Sequence, residues 1–188
     1  MKHNIKNLTL AAMFLAIGLV LPFLTGQIPR IGNMLLPMHI PVFLCGLICG
    51  WQYGGAVGFV LPLLRAALFG APVFFPTATA MACELMTYGL VAGLLYSCSR
   101  WQCIRALYRS LIAAMLAGRA VWGVVQMIQM GVASSGFGWQ MFLAGAFLNA
   151  VPGIVLQLIL IPALMLALHR TGLVPFHKRE AAPAEGDC

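Results

Sequence analysis

The chain has 188 residues, 62% hydrophobic and 8% charged, with a formal net charge of +7 and a mean hydropathy of +0.95. Soluble domains carry about 25% charged residues, so this composition excludes an ordinary soluble fold and specifies an integral membrane protein. Its apolar runs are continuous, without period-two alternation, which argues against a transmembrane barrel, and its basic residues form no face for phosphates, which argues against nucleic acid.

Six spans are predicted, in a single all-α membrane domain over residues 1–170: 8–25, 36–50, 53–70, 76–98, 107–131 and 139–168. The first follows Lys2 and Lys6, but no A-x-A cleavage site succeeds it, so it is expected to be retained. The second is short. Fifteen residues rise about 22 Å against a hydrocarbon core of ~30 Å, so it is tilted or partly re-entrant. It opens on Pro37-Met38-His39-Ile40-Pro41 and meets the third span through GWQYG. Residues 171–188 are polar, without apolar period, and are expected to be a disordered cytoplasmic tail.

Charge asymmetry sets the orientation. Lys2, Lys6, Arg100, Arg105, Arg109, Arg170, Lys178 and Arg179 fall on one side of a six-span arrangement, and Arg30 alone falls in the loops of the other. The positive-inside rule therefore predicts cytoplasmic termini.

Ionisable residues inside spans are costly and are functional candidates. Here they are His39, Arg65, Glu84 and Arg119, all assigned by this topology to the outer half or the middle of the bundle, with Asn149 of span six at a similar level. Arg119, Trp122, Gln126 and Gln129 recur at helical spacing, and Thr77, Met81, Glu84 and Tyr88 do the same on span four. Two such stripes could line a cavity for a polar, planar solute. Other roles stay open: Arg65 could pair with Glu84 and join spans three and four, His39 could be an interfacial residue, and the glutamines could tie helices together. Gly46, Gly50, Gly54 and Gly58 recur every four residues, as do Gly89 and Gly93, and such stripes let backbones approach. The six cysteines lack zinc or CxxC redox spacing and read as small packing residues, with no metal site. No GxxxxGK[ST], HExxH or GxSxG occurs, so neither ATP binding by a P-loop nor a familiar hydrolytic site is encoded.

Three stretches resemble the substrate-binding S component of energy-coupling factor (ECF) vitamin transporters: Ala12-x3-Ala16 in span one, PMHIPVFLCGLICGWQYGGAVGFVLPLL from residue 37, and FGAPVFFPTATAMACELMTYGLVAGLLY from residue 69. The resemblance covers residues 8 to about 168. It implies a six-helix bundle in the bacterial plasma membrane with both termini inside. A small water-soluble vitamin would bind near the outer face, under the loops QIPRIGNML and FGAPVFF. It further implies docking through Ala12 and Ala16 onto a transmembrane scaffold (T) subunit that carries two ABC ATPases, which use the ATP. The chain itself would need no cofactor and would not be an enzyme. The candidate ligand contacts are Arg119, Trp122, Gln126, Glu84, Arg65, Asn149, His39 and Tyr88. Two arginines against one acid favour an anionic ligand, with pantothenate ranked first. The alternatives are an integral-membrane enzyme with a polar cavity around His39 and Glu84, or a structural subunit of a membrane complex.

Overall fold

The structure, a computed structural model, describes residues 2–24, 37–99, 103–132 and 151–170. They form six α-helices and no strand: α1 (Lys2–Leu24), α2 (His39–Cys49), α3 (Trp51–Phe69), α4 (Thr79–Cys98), α5 (Ile104–Val132) and α6 (Val151–Arg170). A π-helical turn, Phe74–Ala78, leads into α4. The fold is all-helical, and five of its segments are long and apolar enough to cross a membrane: Ile5–Phe23, Trp51–Phe69, Phe74–Cys98, Ile104–Gln129 and Gly153–Arg170.

The remaining helix, α2, differs from the predicted 36–50 span. Its 11 residues rise only about 16 Å, roughly half the apolar thickness of a bilayer. Pro37 and Met38 form a turn before it, and Gly50, at φ 99°, ends it with a backbone that a side chain would strain. All of its residues but Ile48 are buried. A helix that is apolar on every side belongs inside a fold, and α2 is walled in by α1, α3 and α4, with α6 beside it. The Asn7 side-chain amide on α1 donates to the Cys49 carbonyl (3.4 Å), meeting one of the carbonyls left open at the end of α2. His39 and Pro41 thus sit at the start of a core helix, where proline in the first turn removes no intrahelical bond.

The glycines account for the closest contacts. A β-carbon at Gly46 would stand 2.7 Å from the Gly89 carbonyl oxygen, and one at Gly93 would stand 2.7 Å from the Gly46 oxygen and from the Trp51 Cα. Gly54 lies against Gly46, and Gly58 against the Leu85 carbonyl. The stripes on the α2–α3 hairpin and on α4 therefore face each other, backbone to backbone. In lipid, where apolar surface alone drives no helix association, such packing is a principal source of cohesion.

The outer helices are two-faced. On α1, Ala11, Phe14 and Gly18 turn inward, the last against Leu61, while Ala12, Met13, Ala16, Ile17 and Val20 are exposed. On α6, Gly153, Gln157, Ile161 and Met165 form a buried stripe at steps of four, against α2 and α5. The predicted sixth span began at residue 139; residues 139–150 lie outside those described.

Candidate functional site

Glu84 lies five residues into α4 and is buried to 2% exposure. Burying a carboxylate is unfavourable unless it is paired and hydrogen-bonded, and here it is both. Arg119 Nη1 of α5 lies 3.1 Å from Glu84 Oε1, and the Tyr88 hydroxyl, one turn on along α4, donates to the same oxygen at 2.6 Å. The i, i+4 spacing that puts Glu84 above Tyr88 thus turns both groups toward α5. The Tyr88 ring stacks on Phe43 of α2 (centroids 5.0 Å apart) and lies 5.3 Å from the His39 ring. Gly118, beside Arg119, is pressed against the edge atoms Cδ1, Cε1 and Cζ of that ring. The tyrosine is clamped between α2 and α5 with its hydroxyl fixed on the acid.

The candidate residues are sorted by this arrangement. Glu84, Tyr88 and Arg119 come together, with His39 packed on Tyr88 and fully buried rather than interfacial. Gln126 is buried on the same face of α5, and Trp122 is half-buried between it and Arg119. The Gln129 amide nitrogen donates to Thr79 Oγ1 at 2.8 Å, and Thr79 donates to the Pro76 carbonyl at 2.9 Å. These bonds join α5 to the π turn. Of the stripe predicted on span four, Glu84 and Tyr88 are buried and Met81 half-buried, whereas Thr77 is exposed on the π turn.

Arg65 is placed elsewhere. The Arg65–Glu84 pair considered from sequence does not form; Arg119 holds the acid, and Arg65 Nη1 lies 3.7 Å from Met38 Sδ. Register between neighbouring helices decides this, and it aims Arg65 at the turn before α2. Asn149 lies outside the described residues. One polar residue escaped the sequence reading: Gln157 of α6, 2% exposed and with its amide nitrogen unpaired among the described residues. Its signal was available, since it is the one polar side chain between Pro152 and His169.

Further buried atoms without a partner among the described residues are Arg65 Nε on α3 and, on α5, Arg119 Nε and Nη2, Gln126 Oε1 and Gln129 Oε1. Native interiors leave few polar atoms in that state. The four on α5 share one face of that helix. The Tyr88 clamp provides a first test. Gly118→Val puts a branched side chain where the Tyr88 ring stands, and overpacking of this kind costs about 1–3 kcal/mol. The expected result is a lower melting temperature in detergent for Gly118→Val, and little change for Ala120→Val on the exposed side of α5.

The family model for the ECF transporter substrate-specific component matches residues 6–165. The chain belongs to that family. No curated protein and no solved structure matches it. This S component is thus a multi-pass membrane protein and a substrate-specific subunit of an ECF transporter. Its site residues rest on the geometry above. The packing reading of the cysteines holds for Cys45 and Cys49, which are buried, but Cys98 is exposed and Cys103 half-buried. Both line a groove of about 450 Å³ with Arg105 and Arg109, at the opposite end of the α4–α5 hairpin from Thr79 and Gln129. Backbone N–H groups at the start of α5, chiefly that of Ala106, hold the Cys103 thiol below its ordinary value.

Proposed function

We propose that this S component captures a small water-soluble vitamin or related micronutrient in the polar cluster around Arg119 and releases it inward with a T scaffold and two ABC ATPases. The observation that carries the reading is the set of unpaired buried polar atoms beside the Glu84–Arg119–Tyr88 unit. The loop and helix ends that bear Arg100, Arg105, Arg109 and Arg170 form the basic end of the chain. By the positive-inside rule that end is cytoplasmic, with both termini, in a bacterial plasma membrane. Glu84 then lies in the outer half of α4, on the side from which a nutrient arrives. The chain needs no cofactor of its own, because its partners use the ATP.

An enzyme reading built on His39 and Glu84 finds less support. Glu84 is committed to Arg119 and Tyr88, and His39 packs on an aromatic ring. Neither is presented as a free acid or base.

Docking onto the scaffold is assigned to Ala12 and Ala16. Both are exposed on the face of α1 that points away from α2 and α3, so a flat, small-residue surface is left for another helix. Ala12→Trp with Ala16→Trp is expected to abolish uptake in cells carrying the partners while leaving ligand binding by the purified chain intact. Normal uptake by that double variant would remove the docking assignment. The reading as a whole is tested by a thermal-shift screen of the purified chain against vitamins and their precursors. A ligand at a hundredfold excess over its Kd adds about 2.7 kcal/mol to stability. Uptake of the hit must then depend on the ATPase partners.

A further inference from the structure

We propose that the ligand of the polar cluster around Arg119 is an uncharged molecule offering both hydrogen-bond donors and acceptors, and that Gln157 of α6 is one of the contacts that determine its specificity. The proposal rests on the S-component reading for there being a ligand, and departs from it over charge.

The expectation of an anion came from counting Arg65 and Arg119 against Glu84. The geometry redistributes that charge. Glu84 Oε1 already holds Arg119 Nη1 at 3.1 Å, with both side chains under a tenth exposed. A second carboxylate on the same guanidinium would stand close to Glu84 in a medium of low dielectric, where like charges repel most strongly. The unbalanced cation is Arg65, which turns to Met38 and is only partly buried.

The unpaired atoms then state what the ligand must provide. Arg119 Nε and Nη2, Gln157 Nε2 and, toward the turn before α2, Arg65 Nε are donors; Gln126 Oε1 and Gln129 Oε1 are acceptors. A carboxylate group offers only acceptors, so the two glutamine oxygens call for donors that such a group cannot supply. The nitrogen of Gln129 is already given to Thr79, which fixes the direction of that amide. A molecule that carries amide, ureido or hydroxyl groups at several points along its length would supply both kinds of partner.

Gln157 is oriented for the task. It occupies the buried stripe of α6 with Ile161 and Met165, both of which join the apolar core. That stripe faces α2 and α5, the helices of His39 and Arg119. A glutamine that merely tied helices would have its amide nitrogen bonded across the interface. Its nitrogen has no partner among the described residues.

The test uses the full chain in detergent and matched probes: nicotinamide against nicotinate, panthenol against pantothenate, and biotinamide against biotin. At least one uncharged member is expected to raise the melting temperature while its acid does not. Gln157→Leu is expected to weaken that binding by about tenfold or more, the loss of one well-made hydrogen bond to a ligand. The ligand-free melting temperature of Gln157→Leu should match or exceed that of the parent, because the unpaired amide contributes no bond when no ligand is bound. Shifts with the acids alone, no shift with any pair, or a ligand-free Gln157→Leu as destabilised as Gly118→Val would each overturn the proposal. Failure of the transport reading looks different. Partner-dependent uptake of an anion keeps that reading and removes this proposal, whereas binding of an uncharged probe without partner-dependent uptake does the reverse.

Discussion

Arg119→Ala is expected to destabilise the bundle by about 3–5 kcal/mol, the usual cost of removing one member of a buried ion pair. The reason is what it leaves behind. Glu84 would keep the Tyr88 hydroxyl and lose the one cation within 4 Å of it among the described residues. A carboxylate stranded in an apolar bundle must either take up a proton or draw in water. From sequence, with Arg119 read as a free ligand contact, the same variant would have been expected to weaken binding and leave the fold intact. The pair reverses that expectation. It also predicts a rescue: Glu84→Gln combined with Arg119→Ala should recover most of the lost stability, since a neutral amide can accept the Tyr88 hydrogen bond without a counter-charge. Melting temperatures of the two single variants and the double variant in detergent form the cycle that measures this coupling. Additive losses would mean that the two residues do not act as a pair.

The residues that make this unit were legible in the sequence; their pairing was not. Glu84 and Arg119 stand out because an ionisable side chain in an apolar run is expensive and rarely accidental. Helical spacing placed Trp122 and Gln126 on the Arg119 face, and burial on α5 follows that face. Choosing between Arg65 and Arg119 as the partner of Glu84 needed the rotation and register of α3 and α5 against α4, which no periodicity within one helix carries. The short second hydrophobic stretch raises the right question about length, but its sequence leaves His39 either a ligand contact or an interfacial residue. α2 begins inside, since its neighbours enclose it on every side. Gln157 is hard to single out for a different reason: it carries no charge, although an amide buried without a partner is nearly as informative.

The largest loss is expected for Gly89→Leu. A β-carbon there would collide with the backbone of Gly54 and stand 2.8 Å from the Gly55 nitrogen. Where the obstacle is the end of a flexible side chain, as at Gly55 against Leu90, a neighbour can move aside. At Gly89 the obstacle is the main chain of a helix, so α3 and α4 must separate along their length. Gly46 and Gly93 meet at the same crossing, with the Gly46 carbonyl 2.7 Å from where a Gly93 β-carbon would lie. Separation there also opens α2. Because α4 carries Glu84 and Tyr88, and α2 carries Phe43 and His39, the polar site is lost with the crossing. Gly89→Ala should lower stability by about 1–3 kcal/mol, in the range of overpacked cores. Gly89→Leu should yield no monodisperse folded protein on size-exclusion chromatography. The control is Leu94→Val, which changes an exposed side chain of the same helix and should leave the elution profile and melting temperature unchanged. Recovery of Gly89→Leu as a folded monomer of parental melting temperature would mean that the helices do not cross at this point. The assignment of Tyr88 and Glu84 to one buried unit with Arg119 would then have to be redrawn, since that unit depends on how α4 is seated.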